Sequence, residues 1–389
     1  MVVMSDLSYV MVTPYTIVKS RTGGVIARLL SRLDLELAGA QMIVPDETFV
    51  RKYAQGLREQ NTAGGVTLLA DYVERNFISA GRAHRILLLL FRGTNACQKL
   101  TDTCGALHEE HQGIESLAGE TIRDTYADLI FDSNDPEKVT YFEPAVFTPR
   151  NQKDADKDLQ LILDFLKGKG NIVANMEYPN PSKIEKTLVI LKPDNWSYAS
   201  SKPGTIIDMF SRTGMRIVGI KIHQFSQEEA LEFYGPVEAA LKEKLAPVFG
   251  EKAADFLERE FNISLSDDTK KQLTESFGRE YAESQFRNII EFMSGVRPGS
   301  GENGKPVKTM ILIYEGDRAV QKIREVLGPT DPLKAPEGTV RREFGSNIMV
   351  NTAHASDSTE SFIREQAIVK IHENTLSNII EEHFRQCRG

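Results

Sequence analysis

Residues 347–361, N-I-M-V-N-T-A-H-A-S-D-S-T-E-S, place one histidine, His354, between a strand-like run and a cluster of small polar residues. Imidazole is a competent nucleophile near neutral pH, because its ordinary pKa leaves much of it unprotonated. Ser356 and Asp357 are each suited to cap a following helix, with Glu360 three residues beyond Asp357 as in a capping box. Glu365 lies eleven residues after His354 and would face back along that helix. A lone histidine at such a turn more often caps a loop than performs chemistry. The cations elsewhere in the chain shift that balance.

Lys192 closes an apolar run at residues 187–193, and Arg324 precedes Leu327-Gly328-Pro329-Thr330-Asp331-Pro332. Gly338-Thr339-Val340-Arg341 follows. Arginine offers a forked pair of donors to phosphate oxygens, lysine a compact positive point, and threonine a hydroxyl. Phosphoryl transfer is mostly positioning and charge neutralisation, so this set with a metal ion would suffice for it. Taken singly, each of these side chains is more commonly a solvated surface group.

The 389 residues suit two domains, with 41% hydrophobic and 26% charged residues and a formal net charge of −8. That acidic balance excludes an overall field favouring nucleic acid or an anionic membrane, though a few local cations still hold a small phosphorylated substrate. The longest apolar run, residues 86–91, is far short of a membrane helix, and the N-terminus lacks the pattern of a signal peptide. Three cysteines, Cys97, Cys104 and Cys387, form no metal-ligand spacing and point to free thiols in a cytoplasmic, reducing setting.

The elements that must position these residues occur twice. Residues 9–14 (Y-V-M-V-T-P) and 187–193 (T-L-V-I-L-K-P) are β-branched runs ending in proline, each followed by a glycine turn, an amphipathic helix and a second strand. Phe91-Arg92-Gly93 and Tyr314-Glu315-Gly316 each close an apolar strand twelve residues before another glycine, Gly105 and Gly328. Matching order at this scale argues for internal duplication. Strand, helix, strand, helices, strand and helix in each half predict two tandem ferredoxin-like α+β domains (βαββαβ) with antiparallel sheets. The expected division is a first domain at 1–170, a linker at 171–186, and a second domain at 187–389 carrying a helical insertion at about 235–280.

The second half resembles the nucleoside diphosphate kinase family along nearly its whole length. Lys192-Pro193-Asp194 is similar to the family's K-P-D, and Leu327-Gly328-Pro329-Thr330-Asp331-Pro332 to L-G-x-T-[ND]-P. Gly338-Thr339-Val340-Arg341 is similar to G-T-[IV]-R, and residues 351–358 to N-x-x-H-[GA]-S-D-S, with Ala355 in the glycine position. The resemblance implies ping-pong transfer of the terminal phosphate from a nucleoside triphosphate to a nucleoside diphosphate through phospho-His354. It makes Glu365 and Ser356 orient the ring, places Tyr234 beside it, and has Lys192, Arg324, Thr330, Arg341 and Asn351 hold phosphates and ribose. Phe286 and Ile289 are the nearest candidates for the base, since the insertion falls in the family's base-stacking hairpin. Mg²⁺ would be held through the nucleotide rather than by a protein cage. The first half departs further: Thr13 stands in place of the lysine, residues 141–149 contain no histidine, Thr121-Ile122-Arg123 is a remnant of G-T-I-R, and His108 and His111 fall in another loop. That half is expected to be a degenerate copy serving as an internal neighbour, making a pseudo-dimer, alongside or instead of homo-oligomers. The alternative is a nucleotide-binding scaffold without turnover.

Overall fold

A computed structural model describes residues 5–60, 66–105, 119–135, 139–299 and 304–388. His108 and His111 lie outside them. Each half builds one four-stranded sheet. In the first, the spatial order is Glu36–Ile43, Ile86–Gly93, Asp6–Val12, Val146–Phe147. In the second it is Arg216–His223, Thr309–Asp317, Ile184–Leu191, Ala353–Ala355. The first strand of each half runs antiparallel to both of its neighbours. The third strand in sequence thus lies between the first and second, which is the ferredoxin-like arrangement expected from element order.

Residues 86–90 (I-L-L-L-L) are fully buried, so this central strand is covered on both faces and shows no alternation. The same core takes in Leu376 and Ile380 from the chain's last helix, Thr375–Arg388. That helix follows the second sheet in sequence but packs on the first half, where Gly39 leaves room for it: a Cβ there would stand 3.0 Å from both Ile379 and Leu376 side chains. The halves also meet through the equivalent helices Thr22–Arg32 and Lys202–Ser211. A Cβ on Gly204 would sit 2.2 Å from Gly23 O and 2.3 Å from Ala27 N, so only glycine permits this backbone approach. The Asp208 carboxylate lies against Gly23 and Gly24, where added Cβ atoms would come 2.3 Å from its Oδ1 and 3.6 Å from its Oδ2, placing a carboxylate of one half at the start of the other's helix.

The chain divides into two compact bodies, residues 1–222 with 310–366 and 370–389, and residues 223–309 with 367–369. The second body is helical. Gln227–Phe261 starts at a Ser226–Glu229 capping box and runs on through Pro236 and Pro247. Asp267–Leu273, a π-helical turn at Thr274–Gly278, and Arg279–Ser294 return along it. The crossing is set by glycines: a Cβ on Gly278 would lie 2.1 Å from Ala246 O, and beside it Phe249 and Tyr281 stack at 3.8 Å. The expected insertion at about 235–280 lies within this run of helices, which spans Gln227 to Ser294.

Two further local expectations are corrected. Strand pairing begins at Ile184, inside the expected linker, and within that segment Val173 N–H donates to Val218 O of the edge strand. Residues 347–350 form a turn and not a strand. His354 itself occupies the short strand Ala353–Ala355.

Candidate active site

The K-P-D-N turn and the residues before His354 build each other. Lys192 N–H donates to Thr352 O at 3.0 Å, and Asn195 Nδ2 donates to the same oxygen at 2.7 Å. Thr352 is held at φ 72, a left-handed conformation costly for a β-branched residue, and its hydroxyl donates to Asp194 at 3.1 Å. Lys202 pairs with Asp194 at 2.8 Å and keeps that carboxylate in place. This kink lets the chain turn from the 347–350 loop into the strand that pairs His354 with Ile190. Asn195 and Lys202 were not singled out from sequence; only the K-P-D motif hinted at the turn.

His354 Nε2 lies 3.0 Å from Glu365 Oε1, and Ser356 Oγ donates to Glu365 Oε2 at 2.7 Å. Ser356 N–H donates to Leu188 O, locking its backbone to the first strand. Glu365 and Ser356 are buried, while His354 is half-buried. The helix carrying Glu365, Thr359–Ile368, is capped by Ser358, whose Oγ accepts from Ser361 N at 3.1 Å. Neither Ser356 nor Asp357 caps it, since Ser356 is committed to Glu365. Asp357 is held below the usual carboxylate range by the Ser361 hydroxyl and then by the Arg324 guanidinium beside it.

Lys192 Nζ donates to Asn351 Oδ1 at 2.7 Å and lies 3.4 Å from Met349 O. Asn351 in turn donates to Thr330 O at 3.1 Å and Ile348 O at 2.7 Å. Arg341 reaches Gly328 O and Ala353 O, each at 3.0 Å. Gly328 is held at φ +84, and a Cβ added there would stand 2.7 Å from Thr339 Oγ1, so the position is closed to other residues. Burial and then the nearby Arg341 push the Lys192 ammonium down to about 7. Two cations are thus taken out of water side by side with neutral partners for the lysine, an arrangement that a phosphate chain would relieve.

One body therefore gathers His354, Ser356, Glu365, Lys192, Asn351, Arg341, Thr330 and Arg324. Thr330 and Arg324 are exposed. Tyr234, buried on the Gln227–Phe261 helix, and Phe286, buried on Arg279–Ser294 beside the half-buried Ile289, belong to the other body.

The first half repeats the geometry without its chemistry. Thr13 N–H donates to Ala145 O at 3.1 Å, and Ala145 has φ 61, matching Lys192 and Thr352. Arg123 donates to Gly105 O and Val146 O, as Arg341 does to Gly328 O and Ala353 O. In that register Phe147, paired with Met11, occupies the place of His354. Glu143 fills the space beside Thr13, accepting from Thr13 Oγ1 at 2.8 Å, from Ala145 N at 3.2 Å and from Tyr72 Oη. A buried carboxylate there opposes any phosphate.

The nucleoside diphosphate kinase family model matches residues 185–245 and 246–374. A nucleoside diphosphate kinase of Bdellovibrio bacteriovorus is 32% identical over 185 residues, covering 48% of this chain and 92% of the relative. One from Pyrobaculum aerophilum is 31% identical over 195 residues, covering 47% and 92%. A crystal structure of an NDP kinase from Pyrobaculum aerophilum is 27% identical, covers 49% of this chain and all of that one, and superposes with a TM-score of 0.35. The chain belongs to the nucleoside diphosphate kinase family.

Proposed function

We propose that the second half transfers the terminal phosphate of a nucleoside triphosphate to a nucleoside diphosphate through His354. The observation that carries this reading is the His354–Glu365–Ser356 relay beside buried Lys192. With Glu365 at Nε2, the neutral ring keeps its proton on that nitrogen and its lone pair on Nδ1. Nδ1 attacks the γ-phosphorus, the bond to the bridging oxygen breaks, and the nucleoside diphosphate leaves with the electron pair. Glu365 stabilises the positive ring as the N–P bond forms, through the Nε2–H it already accepts. A second diphosphate then attacks with a terminal oxygen and restores the imidazole. Lys192, Arg341, Arg324, Thr330 and Asn351 hold phosphates and ribose in this scheme. Tyr234, Phe286 and Ile289 take their parts from the family resemblance alone.

Mg²⁺ would enter with the nucleotide and neutralise charge on the β and γ oxygens. Asp357, kept ionised at the site, suits one of its coordinated waters. The first half acts as an internal partner from a tandem duplication, giving a pseudo-dimer within one chain. The matching sheets and the packing of the last helix on the first half support that role. Three free cysteines favour a reducing compartment such as the cytoplasm. Steady-state exchange between ATP and a diphosphate of another base tests the proposal. Parallel double-reciprocal lines are expected, with His354→Gln reduced to background; equal turnover in that variant would overturn it.

A further inference from the structure

A second cationic cleft lies between the halves, away from His354. It encloses about 450 Å³ and is lined by Arg82, His84 and Arg85 of the first half and Arg216 of the second, with Ile17 and Met215 among its apolar walls. Arg85 stands just before the Ile86–Gly93 strand and donates across the junction to Ile217 O. Arg216 opens the Arg216–His223 strand, donates to Glu177 O at 3.3 Å, and lies 4.8 Å over the Tyr178 ring. Both guanidiniums are half-buried, and among the described residues neither forms an ion pair. Two neighbouring carboxylates are otherwise engaged, and a third, Asp208, lines the adjoining pocket with both arginines. Glu177 pairs with Arg82 at 3.1 Å, and Glu315 binds Lys186 at 3.0 Å and Tyr178 Oη at 2.9 Å.

Removing two like charges from water without a counter-ion is costly, and each raises the cost of the other. Burial and then Arg216 draw the Arg85 guanidinium down to about 10. Converging forked donors match the oxygens of a phosphate dianion, and the volume exceeds that of phosphate alone, leaving room for an organic body along the apolar walls. We propose that this cleft binds a small phosphate-bearing anion, gripped between Arg85 of one half and Arg216 of the other. It would be a site separate from the one at His354 and would tie the halves together when filled.

Equilibrium dialysis of the full chain against labelled inorganic phosphate and labelled ADP tests this. The Lys192→Met variant weakens capture at the His354 site and leaves the cleft intact. That variant should still bind one phosphate per chain. Adding Arg216→Gln should weaken this binding about tenfold or more, and Arg216→Lys, which keeps charge but loses the fork, by an intermediate factor. Displacement of phosphate by ADP upholds the site and assigns it to nucleotide phosphates. Failure of ADP to displace it upholds the site for free phosphate. Thermal unfolding of Arg216→Gln at the wild-type temperature guards against a folding defect. No phosphate bound to Lys192→Met, or wild-type affinity in Lys192→Met/Arg216→Gln, overturns the proposal whether or not His354 is active.

Discussion

Replacing Glu365 with glutamine should slow formation of the phosphorylated chain while leaving the fold intact. Glu365 is 3% exposed and accepts from His354 Nε2 at 3.0 Å and Ser356 Oγ at 2.7 Å. Glutamine keeps an acceptor oxygen for the ring, and its amide can donate to Ser356 Oγ, but it brings no negative charge to match the imidazolium. A hydrogen bond to a charged group contributes about 1.5–3 kcal/mol. If that is lost as His354 becomes positive in the transition state, the rate falls about ten- to 150-fold, at roughly 1.4 kcal/mol per decade. Rapid-quench measurement of acid-labile label transferred from ATP in a single turnover gives this rate apart from nucleotide affinity. Ser356→Ala should lower the same rate by less, and the double variant should lose less than the sum, because both act through one carboxylate. A wild-type transfer rate in Glu365→Gln, with any loss confined to ATP affinity, would refute the reasoning.

Other consequences follow from the same geometry. Lys192 is held at about 7, below its ordinary value, so between pH 7 and about 10 the unfolded chain binds more protons than the folded one. Stability of the ligand-free protein should therefore rise across that window, and Lys192→Met should flatten the slope in denaturant titrations at pH 7 and pH 9. Phe147→His restores an imidazole in the first half's register, but with His354→Gln it should acquire no acid-labile phosphate from ATP, because Glu143 fills the neighbouring space. Truncation before Thr375 strips Leu376 and Ile380 from the first half's core. At roughly 1.5–3 kcal/mol for each buried side chain, the first half should unfold at lower denaturant than the intact chain, as followed by hydrogen exchange of residues 86–90.

Much of the fold was legible in the chain because its signals are local. Periodic apolar runs, glycine turns and the repeated order gave both sheets, with strand ends misplaced by a few residues. The candidate site was legible for a different reason: phosphate chemistry demands charged groups at fixed turns, and those turns carry glycine, proline and asparagine in short motifs. What stayed hidden depends on pairing between distant segments. The burial of the last helix in the first half is set by Gly39 and a hydrophobic face that looks like any other amphipathic helix. Glu143 among residues 141–149 gives no sign that it turns inward to Thr13. The strand holding His354 is three residues long and follows a left-handed threonine, a conformation that residue type argues against. The continuation of Gln227–Phe261 through two prolines likewise rests on packing at Gly250 and Gly278, and not on helix propensity.

The central claim is that His354 carries the phosphoryl group. Brief exposure of the full chain to ATP labelled in its terminal phosphate with Mg²⁺, followed by peptide mapping, tests it most directly. The expected label is lost in acid, stable in base, confined to the peptide containing His354, and discharged by a diphosphate of another base. Label on a different residue, or retention of label in His354→Gln, would contradict it.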